Sequence, residues 1–185
     1  MRYCKTVTLK DGRTCTLRNG TEQDAENVLD NFIRTHEQTE FLTTYPDETS
    51  FTLEQEREYL KKKAESDREL ELVAEVDGVI TGTAGVDQIR AADKTKHRAS
   101  FGISIDEAWW GLGIGRAMIE ACIECAKAAG YLQLELEAVA ANRRAVALYI
   151  SEGFVEFGRN PKGFRTRDGR WQELVLMRLE LDRAE

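Results

Sequence analysis

The stretch Trp110-Gly-Leu-Gly-Ile-Gly115 constrains this chain more than any other. Ahead of it, Phe101-Gly-Ile-Ser-Ile105 alternates apolar residues as a strand does. Behind it, Ile114, Ala117, Met118, Ala121, Cys122, Cys125 and Ala129 recur at three- and four-residue steps, the apolar stripe of a helix. Gly130 stands where a left-handed cap ends such a helix. The segment thus reads strand, short turn, glycine-rich loop, helix. Gly111, Gly113 and Gly115 leave no Cβ between the backbone and a ligand. The first amides of a helix lack intrahelical partners and the helix dipole adds positive potential, so the place suits a phosphate or diphosphate. A tight turn chosen for packing is the other reading of the same residues. No Lys-Ser/Thr pair follows the last glycine, as a nucleotide-hydrolase loop requires, and the glycine spacing departs from the dinucleotide fingerprint.

The 185 residues suffice for one well-cored domain, and 42% hydrophobic with 32% charged residues is the balance of a soluble globular chain. No apolar run is long enough for a membrane span, and Met1-Arg-Tyr-Cys-Lys5 lacks the apolar core of a signal peptide, so no membrane partner and a cytoplasmic location are expected. The net charge of −7 argues against a nucleic-acid partner and favours a cationic substrate. Cys122-Ile-Glu-Cys125 has metal-like spacing, but no second pair exists and the only histidines are His36 and His97. It lies mid-helix, partly on the apolar stripe, and reads as packed thiols; no metal is expected.

In chain order, residues 5–18 predict a hairpin turning at Asp11-Gly12. Thr21 with Asp24 resembles a capping box opening a helix whose face carries Ala25, Val28, Leu29, Phe32 and Ile33. Residues 35–50 are irregular and broken by Pro46, and Phe41, Leu42 and Tyr45 form either a substrate wall or a plain connecting loop. A charged helix follows at about 52–67, then strands Leu70 to Val76 and Val79 to Ile89 joined at Asp77-Gly78. Tyr131 to Glu137 alternates as a strand, Asn142 to Glu152 repeats as a helix, and Phe154 to Arg159 and Glu173 to Leu181 close the chain as strands. With no linker or repeat, residues 1–185 read as a single α+β domain, a mixed and mostly antiparallel sheet packed by helices on both faces.

Asn142-Arg-Arg-Ala-Val-Ala-Leu-Tyr-Ile-Ser-Glu-Gly-Phe154 decides between the readings of the glycine loop. Taken with Trp110–Gly115, it resembles the GNAT superfamily of N-acetyltransferases, whose pattern is Gln/Arg-x-x-Gly-x-Gly/Ala, a strand, then Asn-x-x-Ala-x-x-Leu-Tyr and Gly-Phe. Asn142, Ala145, Leu148, Tyr149, Gly153 and Phe154 fall in register, over a similarity spanning about residues 70–160. Trp110 departs from the pattern and removes one side-chain donor near the phosphates.

The resemblance implies acetyl-CoA as cosubstrate and a splay between the strand ending near Ile105 and the strand ending near Glu137. The pantetheine arm would pair with main-chain groups at Ile103 and Ile105. The diphosphate would rest on the loop from Trp110 through Gly111, Leu112, Gly113, Ile114, Gly115 and Arg116, and Asn142 would meet the cofactor arm. Arg116, Arg143 or Arg144 would meet the adenosine phosphate, or is ordinary surface charge. A neutral amine attacks the thioester, main-chain donors such as the Ile105 amide hold the oxyanion, and the thiolate leaves with a proton. Tyr149 stands at the position of the family's general acid; its other role is an aromatic packed under the helix. Glu137 is the candidate base, or a solvated acid beside Glu135, and Glu40 is a weaker candidate for holding a cation. The acceptor is a small-molecule amine or a protein N-terminus, and a homodimer fits the family. The alternative is a non-catalytic acyl-CoA sensor or interaction module on the same fold, and a more remote one a nucleotide-binding protein.

Overall fold

The computed structural model describes residues 2–48 and 51–181. Both ends of the expected 1–185 domain, and Thr49 and Ser50 of the irregular 35–50 segment, lie outside the described residues. Eight strands and four α-helices are described: β1 Cys4–Thr8, β2 Thr14–Asn19, α1 Ala25–Glu37, α2 Leu53–Glu65, β3 Leu70–Val76, β4 Val79–Gln88, β5 Arg98–Ile105, α3 Ile114–Ala128, β6 Gln133–Val139, α4 Arg143–Ser151, β7 Val155–Arg165 and β8 Trp171–Glu180. The strands form one sheet in the order β1-β2-β3-β4-β5-β6-β8-β7. Its neighbours are antiparallel except β5 and β6, which are parallel because α3 carries the chain back across the sheet between them.

The strand alternation sorts side chains onto two faces. Ala99, Phe101, Leu134 and Leu136 meet Met118, Ile119, Cys122, Cys125, Tyr149 and Phe154 in the main core, beneath α3 and α4. A smaller core under α1 and α2 gathers Ala25, Val28, Leu60, Val73 and Ile80. Helices therefore cover both faces, as the sequence predicts. Cys122 and Cys125 are free, buried thiols in the main core.

Three local expectations change. Thr21 does close on Asp24, whose Oδ2 accepts from the Thr21 amide and hydroxyl at 2.8 Å each, but the turn it opens is a 3-10 turn, Glu22–Asp24. On α1, Ile33 points outward at 38% exposure while Asn31 and Thr35 are buried. Burial of polar residues here follows from an open carbonyl at Ile80, which accepts from Asn31 Nδ2 at 3.3 Å and Arg34 Nη2 at 3.4 Å. Strand β7 extends six residues beyond Arg159, to Arg165, because a register shift between Asn160 and Phe164 restores its pairing with β8.

Candidate active site

Strands β5 and β6 pair only at Arg98–Gln133, Ala99–Leu134 and Ser100–Glu135. Beyond that point β5 remains tied to β4 as far as Ile105, and β6 to β8 as far as Val139. The two strands thus separate, and their facing edges from Phe101 to Ile105 and from Leu136 to Val139 have no ladder partner. The Asp106 amide donates to Thr81 O at 2.9 Å on the β4 side. Since main-chain groups alternate sides along a strand, those of Ile105 and Ile103 face the gap. Backbone groups left open beside a core need a partner, and an extended amide-bearing arm supplies one. The indole Nε1 of Trp110 donates to Ile105 O at 2.7 Å from this side. Trp110, where the resembled pattern has Gln or Arg, is therefore a donor toward the gap, and Arg144 lies 4.8 Å over its ring.

The glycine-rich loop adjoins the gap. After β5, a 3-10 turn, Glu107–Trp109, replaces the expected short turn, with Asp106 as its cap. Gly111 and Gly113 then take φ of 83° and 102°, values that side chains rarely adopt, and Gly113 is the N-cap of α3. A Cβ on Gly115 would meet Leu148 at 3.2 Å and Ile105 at 3.4 Å, so a small residue there lets α3, α4 and β5 close together. Leu112 anchors the loop, its carbonyl accepting from the Lys10 amide at 3.1 Å, while Ile114 is buried beneath the first turn. The first hydrogen bond of the helix runs from the Ala117 amide to Gly113 O, leaving the preceding amides directed outward.

The remaining candidates divide between the two faces. Tyr149 lies on the α3–α4 face, packed edge-on against Phe101 at 6.2 Å and Phe154 at 6.0 Å. Burial pushes its phenol up to about 12, so it keeps its proton. No acceptor for that hydroxyl exists among the described residues. Glu137 is exposed on β6 and, by alternation from buried Leu134 and Leu136, projects from the opposite face. Candidate acid and candidate base thus flank the gap from opposite sides. Asn142 caps α4, its Oδ1 accepting from the Ala145 amide at 3.2 Å. Arg116 is drawn toward the end of α4, ion-paired with Glu152 and donating to Ser151 Oγ at 3.1 Å. Arg143 and Arg144 are exposed.

On the Glu137 side lies a cavity of about 640 Å³, lined by Gln38, Glu40, Phe41, Val139, Ala140, Arg170, Trp171 and Glu173 among others. Phe41 of the expected substrate wall lines it; Leu42 and Tyr45 do not. The segment after α1 is clasped to the β7–β8 hairpin. Arg170 Nη2 reaches Glu40 Oε2 at 2.9 Å, Gln172 Nε2 reaches Glu40 O at 3.1 Å, and Arg167 pairs with Asp47 at 2.6 Å while its amide donates to Tyr45 Oη at 2.9 Å. Sequence reasoning missed Gln38, Arg170 and Trp171, which reach the cavity from segments more than a hundred residues apart. Asp106 was missed too, although an Asp closing a strand and opening a turn is itself a capping signal.

A family model described as the acetyltransferase (GNAT) family matches residues 31–154. The L-amino acid N-acyltransferase MnaT of Escherichia coli (strain K12) is 31% identical over 111 residues, 60% of this chain and 64% of that protein, so the chain spans just under two thirds of that relative. Among solved structures, a GNAT-family acetyltransferase from Streptococcus pneumoniae has a TM-score of 0.86 at 28% identity, covering 90% of this chain and 99% of the other. The protein yncA from Salmonella typhimurium, solved with its cofactor acetyl-CoA, shares the fold with a TM-score of 0.80 at 21% identity, over 91% of this chain and 94% of that one.

Proposed function

Because the chain belongs to the acetyltransferase (GNAT) family, we propose that it moves an acetyl group from acetyl-CoA to a primary amine within a ternary complex. The observation that carries this reading is the unpaired gap between β5 and β6 beside the glycine-rich loop. An extended pantetheine arm satisfies the open groups of Ile103 and the amide of Ile105, whose carbonyl already accepts from Trp110, and the amides from Gly111 to Arg116 receive the diphosphate. Asn142 and Trp110 border the arm, and Arg116 reaches a phosphate by leaving Glu152.

The bound cosubstrate supplies the activated acyl group. The amine enters from the cavity side and loses its proton to Glu137, directly or through water. The oxyanion formed on attack is held by the Ile105 amide. Tyr149, on the other face, gives its proton to the departing sulfur. Transfer moves the negative charge from the sulfur to the phenolate, and the proton that Glu137 took from the amine returns through solvent to neutralise it.

The acceptor is a small amine or a peptide N-terminus. Clasping of the cavity by Arg170 and Arg167 favours the small molecule. The four thiols, none of them paired, fit the cytoplasm, where acetyl-CoA is met. A homodimer remains part of the proposal on family grounds alone. The test is thiol release from acetyl-CoA across a panel of amino acids, diamines and short peptides. Amine-dependent release supports the reading. Saturable CoA binding with no release from any amine replaces it with a sensor, and absence of CoA binding ends both.

A further inference from the structure

Resting on that reading, we infer that Asp106 and Gln38 are positioning residues that set the acceptor wall by the strand holding the cofactor. Asp106 directly follows Ile105, at the mouth of the gap, and leads into the 3-10 turn before the glycine-rich loop. Gln38 caps the C-terminal end of α1 and lines the acceptor cavity together with Thr39, Glu40 and Phe41. Gln38 is bonded twice to this turn, once to Asp106 and once to Glu107. Gln38 Nε2 donates to Asp106 Oδ1 at 3.0 Å, and the Glu107 amide donates to Gln38 Oε1 at 2.8 Å. A primary amide bonded through both its atoms cannot rotate without losing both bonds.

The carboxylate at the centre is itself over-determined. Asp106 is 8% exposed, and it accepts from Arg34 Nε at 3.2 Å and the Ala108 amide at 3.1 Å in addition to Gln38. Burial opposes its charge, but the donors from Gln38, Ala108 and Arg34 outweigh burial and hold the carboxyl below its usual range. Its own amide is spent on Thr81 O. Arg34 and Gln38 both belong to the end of α1, so one ionised side chain fastens that end to the terminus of β5. Among the described residues, no other hydrogen bond joins residues 38–41 to the strand that bears Ile103 and Ile105. On the far side, the hydrogen bonds of the same segment among the described residues are those of the exposed Glu40–Arg170 pair and of Gln172 to Glu40 O. Whatever orders β5 and the loop after it is therefore transmitted to the acceptor wall through Asp106 and Gln38.

The test is a double-variant cycle with Gln38→Ala and Asp106→Ala, and Asp106→Asn as the conservative control. Acceptor KM is expected to rise about tenfold in either alanine variant, and no further when they are combined, because both break one link. CoA affinity should change less than threefold, and Asp106→Asn, which keeps an oxygen for Gln38, should restore most of the KM. Hydrogen exchange reads the same link without turnover. CoA should slow exchange of the amides at 38–41 in the parent protein and leave them unchanged in Gln38→Ala. The inference is overturned if the two effects on KM add, if CoA affinity falls as much as acceptor affinity, or if CoA protects 38–41 equally in Gln38→Ala. A protein that acetylates no amine sinks the proposed function, while the exchange experiment still decides this coupling.

Discussion

Tyr149, the proposed acid, carries a hydroxyl that contributes little to the fold. No protein acceptor among the described residues takes its proton, so Tyr149→Phe removes no internal hydrogen bond, and thermal stability should hold within about 0.5 kcal/mol. Acetylation should fall about a hundredfold or more, the usual contribution of a positioned general acid, with CoA affinity unchanged. Equal turnover in both proteins assigns the residue to packing alone. The pH dependence has a definite sign. In the proposed reaction the protonated phenol is the active form, and with its pKa pushed up to about 12 activity should fall only as pH rises toward that value. An alkaline limb below about pH 10 that vanishes in Tyr149→Phe contradicts the environment described for this side chain.

At the scale of elements, the turn into α3 and the docking of α2 can each be tested by one change. Gly113 enters the helix at φ 102° with open space where a Cβ would stand, so Gly113→Ala meets backbone strain and not a clash. A loss of about 1–2 kcal/mol in stability is expected, with weaker CoA binding in calorimetry because the first amides of α3 are re-aimed. Unaltered affinity takes the diphosphate away from this loop. On α2, Glu56 is 6% exposed and burial raises its carboxyl to about 7. The folded protein therefore binds a proton that the unfolded chain releases above about pH 4.5, and stability falls as pH rises from there to about 7. Glu56→Gln should raise urea-derived stability by about 1–2 kcal/mol at pH 8 and change it little at pH 4.5. A gain of equal size at both pH values refutes the burial argument. The loop, α3 and the helix beginning near Asn142 were legible in the sequence because each rests on neighbours within a few residues. The phase of α1 was not, since Asn31 is buried by a carbonyl on β4, forty-nine residues further along the chain.

Across the whole molecule, the gap between β5 and β6 joins two differently built faces. On one, α3 and α4 bring the open amides and Tyr149; on the other, the end of α1 and the β7–β8 hairpin enclose a cavity beside the face that bears Glu137. The residues pointed to the mixed sheet and the family resemblance to the opened strands, because the motifs on either side of the gap are local. The cavity could not be read that way. Glu40, Arg170 and Gln38 carry no periodicity and meet only when residues 38–41 fold onto the hairpin and onto Asp106. The central claim is that one passage through the sheet serves donor and acceptor from opposite sides. A crystal structure of the protein with CoA tests it most directly. The account predicts the diphosphate on the amides of Gly111 to Arg116, the arm paired with Ile103 and Ile105, and the sulfur within about 3–4 Å of the Tyr149 hydroxyl or one water away from it. A diphosphate bound elsewhere, or a sulfur emerging on the face away from Tyr149, contradicts it.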